Sequence, residues 1–311
     1  MIINKSVLQA CCCFDEWIVD NLQYETIVGS QAYGCQTDQS DYDICGFTIP
    51  PKQFIVPNLF GYIHGFDNNI PIFKQFQTPG KFIYKKKEAE GTIFSIVRYF
   101  RLVANNNPNM LDSLFTREQL HTHITRIGKM VLENRRIFVS KQCWHTFRGY
   151  AMSQKDKMQK KVPEGKRVAI VEKYGYDVKF ASHLVRLLLE VEELLTTGEM
   201  DLMKHNEVLK SIRRGEWEIQ RILDFFERNE ARLEKLYDAS TIPYEVDEEK
   251  IKMLLIKCIE EFYGDLKLEK NANIADILRN IEGKIVDVHK LINFYKGDKL
   301  SELDTDNCED N

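Results

Sequence analysis

Two aspartates separated by one residue follow a Gly-Ser pair near the start of the sequence. The stretch GSQAYGCQTDQSDYD begins at Gly29, just after an apolar run, and contains Asp41 and Asp43 immediately before a second apolar run. On a strand, the two aspartates would project to one side with Cα atoms about 6.5–7 Å apart. Like charges at that distance repel each other. A divalent cation would make the arrangement favourable, since Mg²⁺ prefers one or two carboxylates together with phosphate oxygens.

The Gly-Ser pair suits the same chemistry. A glycine after a strand lets the backbone approach a phosphate closely, and the hydroxyl of Ser30 can donate a hydrogen bond to a phosphate oxygen. A triphosphate could then bridge Ser30 and a metal ion held by the aspartates, and a two-metal site would need a third carboxylate from elsewhere. By themselves, however, the two aspartates could also be a solvated strand end or a turn with an Asx cap.

Composition places the chain among soluble globular proteins. Its 311 residues, 43% of them hydrophobic and 29% charged, suffice for one large domain or two ordinary ones. The net charge of −4 gives no general attraction to nucleic acid or membranes. We expect no membrane span and no signal peptide, because no long uncharged apolar stretch occurs. The eight scattered cysteines form no C-x-x-C pair, which favours free thiols in a reducing cytoplasm.

Periodicity predicts mixed secondary structure in the first part of the chain and helices afterwards. In the first part we expect helices over 6–22 and 92–105 and strands over 24–28, 41–49 and 81–90. In the second part we expect helices over 118–134, 141–161, 176–197, 206–213, 215–236, 247–264 and 272–293. The predicted fold class is therefore α+β, with a mixed-sheet domain over 1–117, an all-helical domain over 118–300 and a disordered acidic tail over 301–311.

Three stretches resemble a known family. The segment GSQAYGCQTDQSDYDICGFTIPP resembles the G-S-x-x-Y-G…S-D-x-D signature of nucleotidyltransferases in the DNA polymerase beta superfamily. FSIVRYFRLVANNNPNMLDSLF and KYGYDVKFASHLVRLLLEVEELLTTGEM resemble two stretches of the branch that is found beside RNA ligases and linked with RNA repair. The resemblance covers about residues 25–250. It implies a polymerase-beta-like N-terminal domain followed by a helical domain.

The resemblance also implies roles for individual residues. It implies two-metal transfer of a nucleoside monophosphate from an NTP, with Mg²⁺ or Mn²⁺ as the metal. Gly29 and Ser30 would bind the triphosphate, and Asp41 and Asp43 would bind the metals. In the family the third carboxylate lies on the strand before the N-P-N helix. Glu90 is therefore expected to be the third catalytic ligand, with Glu88, at the same strand parity, as the alternative.

A basic stripe follows in the helical part. Lys179, His183 and Arg186 fall at i, i+4 and i+7 on one helix face, where they could bind nucleotide phosphates if they faced the aspartates. A solvated face, with Glu190 pairing to Arg186, is the alternative. Residues 148–186 contain ten basic and four acidic residues, an excess of +6 against −10 elsewhere. That asymmetry favours a bound polyanion.

These observations together predict a metal-dependent nucleotidyltransferase. The expected acceptor is an RNA 3′ end, and the expected partners are an NTP and RNA, without a membrane. Two alternatives stay open at this point. The chain could transfer AMP to a protein hydroxyl, or it could be a catalytically silent module that binds nucleotide or RNA.

Overall fold

Strands and helices alternate in the first part of the chain. The structure is a computed structural model that describes residues 1–55, 73–160 and 162–264. The elements up to residue 133 are α1 (Lys5–Ala10), α2 (Trp17–Asp20), β1 (Leu22–Val28), β2 (Tyr42–Thr48), α3 (Lys52–Ile55), β3 (Gln75–Gln77), β4 (Phe82–Tyr84), β5 (Lys87–Ser95), α4 (Ile96–Ala104), α5 (Pro108–Leu114), β6 (His121–Ile124) and α6 (Arg126–Glu133).

Only helices follow among the described residues after α6. They are α7 (Gln142–Lys160), α8 (Lys166–Tyr174), α9 (Val178–Thr197), α10 (Asn206–Arg213), α11 (Ile219–Ala239) and α12 (Glu248–Tyr263). Short 3₁₀ turns at Glu118–Leu120 and Arg135–Phe138 complete the described elements. No described helix is both long enough and apolar enough to cross a membrane.

The described strands form one mixed six-stranded sheet. Its order is β3-β5-β2-β1-β6, and β4 pairs with β5 outside this path. β2 and β5 run parallel, whereas the other pairs are antiparallel. The sheet and the helices packed on it make the fold α+β, as the sequence predicts.

Apolar side chains cover both faces of the sheet. Ile44 and Ile93 join a small cluster with the N-terminal residues. Phe47 faces the other way, into a large cluster that continues into α7, α9 and α11. Side chains alternate along a strand, so Asp43 points to the same face as Phe47. The acidic residue of β2 therefore lies on the side of the sheet that the later helices cover.

Two predictions for the N-terminal part were wrong in detail. The helix expected over 6–22 is two short helices, and the break between them contains Cys12 at a φ of +54°. The strand expected over 81–90 is a hairpin of β4 and β5, which turns at Lys85 and Lys86 with φ values of +48° and +65°. β5 then continues to Ser95, which caps α4 by accepting a hydrogen bond from the amide of Arg98.

The segment 118–134 was also predicted incorrectly as one helix. β6 lies within it and pairs with β1, so the sheet continues beyond residue 117. The large apolar cluster likewise contains residues from both sides of that position. The helices expected from 141 to 264 are present, with α8 in addition. The helix expected at 272–293 and the tail at 301–311 lie outside the described residues, and the division of the chain into domains stays a prediction.

Candidate active site

The three carboxylates expected to hold metal lie around the ends of two parallel strands. Asp41 immediately precedes β2, and Asp43 is the second residue of β2. In the parallel register of β2 and β5, Asp43 lies opposite Glu90. We call these three residues the acidic trio. Two strands that are far apart in sequence thus bring Asp43 and Glu90 to the same edge of the sheet.

Gly29 packs directly against the carboxylate of Asp43. Its φ of +66° is one that side chains disfavour, and a Cβ atom placed there would lie 2.1 Å from Oδ2 of Asp43. Val28, the last residue of β1, is the register partner of Asp43. The Gly-Ser turn and the acidic trio are therefore parts of one site.

The loop after Gly29 is a tight turn with a buried anchor. The carbonyl of Gly29 accepts a hydrogen bond from the amide of Tyr33 at 3.2 Å, and that of Ser30 accepts from Cys35 at 3.0 Å. The hydroxyl of Tyr33 donates to Oδ2 of Asp112 on α5 at 2.5 Å. Ser30 thus sits at the start of a turn whose other end is fixed in the core.

Burial and charge repulsion perturb the carboxyl group of Asp43. Burial, the largest cause, and the negative charges of Asp41 and Glu90 together raise its pKa to about 6. The charges of Lys81 and Lys179 act in the opposite direction. A buried carboxylate that feels two other negative charges is a group that a bound cation would stabilise.

Asp41 is held by a lysine of the β3–β4 connection. Nζ of Lys81 lies 2.7 Å from Oδ2 of Asp41 and 2.8 Å from Oε2 of Glu88. Burial alone would raise the pKa of Asp41, but the hydrogen bond and charge of Lys81 lower it below its usual value. Glu88, the alternative third ligand, therefore pairs with a lysine in this structure, whereas Glu90 is the register partner of Asp43.

The acidic trio offers the type of donor atom that metal ions bind, but its three side chains are not arranged around one point. Carboxylate oxygens are the donors that Mg²⁺ prefers, and the raised pKa of Asp43 reflects first its burial and then the negative charges of Asp41 and Glu90. Within the described parts of the chain, however, no three acidic, histidine or cysteine side chains are gathered as a bound ion requires. The donor types suit a divalent cation, since Asp43 and Glu90 line one cavity and both are carboxylates; that the trio binds metal stays a prediction.

The first turn of α9 carries positive charge towards the trio. The side chain of Asp177 caps this helix by accepting hydrogen bonds from the amides of Lys179 and Phe180. Lys179 is exposed, and its charge lowers the pKa values of both Asp41 and Asp43. Lys179 is therefore near enough to Asp41 and Asp43 to act on both electrostatically, and its role in nucleotide binding stays a prediction.

His183 lies one turn further along α9, among cations. Burial, the largest cause, and the positive charges of Arg186, Arg213, Arg167 and Lys179 together lower its pKa to about 3. The imidazole is therefore neutral at physiological pH. Two of these cations, Arg186 and Arg167, are paired with carboxylates, so Lys179 and Arg213 are the ones that could attract an anion near His183.

Arg186 is placed differently from the other two members of the basic stripe. Its Nη1 atom lies 2.8 Å from Asp112 and 2.7 Å from Glu190, and its guanidinium stacks on Tyr33 at 4.3 Å. The side chain is 4% exposed. Arg186 thus pairs with Glu190, as the alternative expected, but the pair is buried and is not part of a solvated face. A role for Arg186 in nucleotide binding stays a prediction.

A polar cavity adjoins the trio on the side of β3. It has a volume of about 170 Å³ and is lined by residues that include Asp43, Glu90, Gln77, Thr78 and Thr92. The described residues that line it include no lysine or arginine. Cationic side chains and neutral polar groups therefore lie at different places around the acidic trio.

Sequence reasoning missed three cations of this region. Lys81 belongs to a connection that was expected to be a continuous strand. Arg167 reaches Oδ2 of Asp177 at 2.5 Å and stacks on Phe180 at 4.2 Å, and Arg213 donates to the carbonyl of Cys35 at 3.0 Å. The local excess of basic residues pointed to the segment that contains Arg167, but the contacts of Lys81 and Arg213 depend on tertiary structure.

The mixed sheet, with a Gly-Ser turn beside an Asp-x-Asp strand, defines a polymerase-beta-like nucleotidyltransferase fold. The family model of RlaP, the RNA repair pathway DNA polymerase beta family, matches residues 16–249, and the chain belongs to this family. Family and fold point to a nucleotidyltransferase in an RNA repair pathway.

Two further comparisons add little. No curated protein matches the chain. Among solved structures, a nucleotidyltransferase-like protein from Exiguobacterium sibiricum 255-15 is similar at 10% identity over 95% of this chain and 90% of that chain. Its TM-score of 0.27 is too low to carry an argument.

Proposed function

We propose that this protein is a divalent-metal-dependent nucleotidyltransferase that transfers a nucleoside monophosphate from an NTP to the 3′ hydroxyl of an RNA. One observation carries the proposal. The carboxylate of Asp43 contacts the backbone of Gly29 on one side and lies opposite Glu90 on the other. A phosphate-binding turn and a pair of acidic residues therefore share one site.

The proposed roles of the site residues follow from their charges. Mg²⁺ or Mn²⁺, when bound, would neutralise developing negative charge on the reacting oxygens. Asp41, Asp43 and Glu90 would hold it, since Asp43 and Glu90 are register partners on β2 and β5 and Asp41 immediately precedes β2; Glu88 is the alternative to Glu90. Gly29 leaves room for a phosphate beside the backbone, and Ser30 supplies a hydroxyl. Catalysis would then come mainly from positioning and electrostatics.

The cationic first turns of α9 would receive the triphosphate. Lys179 is exposed and acts electrostatically on the trio, while His183 is neutral and can donate or accept a hydrogen bond. Arg167 and Arg213 strengthen the positive field at His183. This field would orient the triphosphate so that its α-phosphate lies at the trio.

Family membership supports RNA as the acceptor, and so does the local basic excess over 148–186. AMP transfer to a protein hydroxyl and a silent binding module remain alternative outcomes of the test below. A cytoplasmic location stays a prediction from the cysteine pattern.

The test is a transfer assay with each of the four NTPs, labelled at the α-phosphate, with Mg²⁺ or Mn²⁺ and a mixed RNA pool. The variant is Asp43→Asn. The control is Asp224→Asn, which removes the same charge at an exposed position of α11. We expect label on RNA with wild type and control and none with Asp43→Asn. Label on protein would favour AMP transfer, and NTP binding without any labelled product would favour a binding module.

A further inference from the structure

Lys81 forms an ion pair with Asp41, one of the expected metal ligands. Its ammonium group lies 2.7 Å from Oδ2 of Asp41 and 2.8 Å from Oε2 of Glu88. The side chain is 41% exposed, and that of Asp41 is 34% exposed. An ammonium group 2.7 Å from Oδ2 of Asp41 already neutralises part of the negative charge of this carboxylate and repels a second cation that approaches it.

We infer that Lys81 is a built-in competitor of the divalent cation, which keeps Asp41 from the metal until nucleotide arrives. This inference rests on the proposed function. Without nucleotide, an entering ion must displace the ammonium from Asp41. With nucleotide, the phosphates supply further ligands to the ion and a new anionic partner for the displaced lysine.

Lys81 can leave Asp41 at little cost in free energy. A lysine is a point charge on a flexible four-carbon chain, and an ion pair as exposed as this one contributes little stability. Lys81 also belongs to the short connection between β3 and β4 and not to a strand, so its swing does not disturb the sheet. The lysine therefore lowers the affinity for metal without blocking the site permanently.

A neighbouring lysine offers a matched control. Lys87 lies next to Glu88 on β5, and its Nζ atom lies 3.5 Å from the carbonyl oxygen of Thr37. Because side chains alternate on a strand, Lys87 points to the opposite face from Glu88. Lys87→Met removes the same charge from the same hairpin as Lys81→Met.

The experiment measures Mn²⁺ binding to the full chain by electron paramagnetic resonance, with and without a non-reactive NTP analogue. Without analogue, we expect Lys81→Met to bind Mn²⁺ about 1.5- to fivefold more tightly than wild type, the range of an exposed ion pair. Lys81→Arg should bind no more tightly than wild type. With analogue, the advantage of Lys81→Met should shrink, because the phosphates then give the displaced lysine a partner.

Equal tightening by Lys81→Met and Lys87→Met would overturn the inference, since general charge would then explain the effect. An unchanged affinity in Lys81→Met, with binding still lost in Asp43→Asn, would also overturn it while leaving the proposed metal site intact. If Asp43→Asn binds Mn²⁺ like wild type in the presence of analogue, the proposed metal site itself is wrong, and the inference falls with it.

Discussion

Asp43 is expected to destabilise the metal-free protein at neutral pH. The raised pKa means that the folded state resists the charged form of this group. Moving the pKa from 3.8 to about 6 corresponds to about 3 kcal/mol, and partial solvent exposure reduces this to about 1–3 kcal/mol. We therefore expect Asp43→Asn to increase the free energy of unfolding by about 1–3 kcal/mol at pH 8.

The effect should depend on pH in a defined direction. Because the folded pKa lies above the unfolded one, the carboxyl group favours folding most at low pH, where it is protonated. That contribution is lost as the pH rises through about 6. The advantage of asparagine should therefore be small near pH 4, about half developed at pH 5 and complete above pH 7.

Urea unfolding of wild type and Asp43→Asn between pH 5 and pH 8, with a chelator present, measures this difference. Adding Mg²⁺ should stabilise wild type and leave the variant nearly unchanged, because only a group that binds the ion gains from it. A difference that does not vary with pH, or a variant less stable than wild type at pH 8, would refute the reasoning.

Three further changes are expected to have measurable effects. Gly29→Ala should lower the free energy of unfolding in urea by about 1–3 kcal/mol and abolish transfer, since its Cβ would collide with the carboxylate of Asp43. The control is Gly80→Ala, whose Cβ would meet no atom within 4 Å. It should lower the free energy of unfolding by less than about 0.5 kcal/mol. The imidazole of His183 should not titrate between pH 5 and 8 by NMR, given a pKa of about 3; a transition near pH 6.5 would contradict the burial argument. Arg186→Met should destabilise the protein by about 3–5 kcal/mol, because it leaves two carboxylates buried without their cation; an unfolding curve like that of wild type would show that the buried charges are already neutral.

The parts of the fold with strong local patterns were predictable. β1 and β2 carry short apolar runs bounded by a glycine and by prolines, and both form close to the expected positions. α10 spans Asn206–Arg213, as the spacing of its apolar residues predicts. In each case the residues that decide the structure lie within a few positions of one another.

The missed elements depend on distant partners. β6 has only four residues and forms because β1 offers it an edge nearly a hundred residues earlier in the sequence. The break after α1 places Cys12 at a positive φ, which its residue type does not favour. Lys81 could be recognised as a neighbour of Asp41 only after the hairpin had been placed, because the two are forty positions apart.

Arg186 shows how an inward-facing residue can resemble a surface one. Helical spacing puts it in line with Lys179 and His183, but α9 also packs against other helices along much of its length. Residues that share a helix face can therefore end in different surroundings, one exposed and another 4% exposed. Sequence spacing determines the direction in which each side chain leaves the helix axis. Whether that side chain reaches solvent depends on the neighbouring helices that pack over it.

The buried cluster around Arg186 also constrains how the sequence can evolve. The guanidinium of Arg186 forms ion pairs with Asp112 and Glu190 and stacks on Tyr33. The hydroxyl of Tyr33 donates a hydrogen bond to Asp112 as well. Losing the arginine alone would leave carboxylates without compensation, and losing a carboxylate would remove a partner of the cation. Positions 112, 186 and 190 should therefore change together in relatives, so that lineages keep either the whole charged group or an apolar replacement of similar volume.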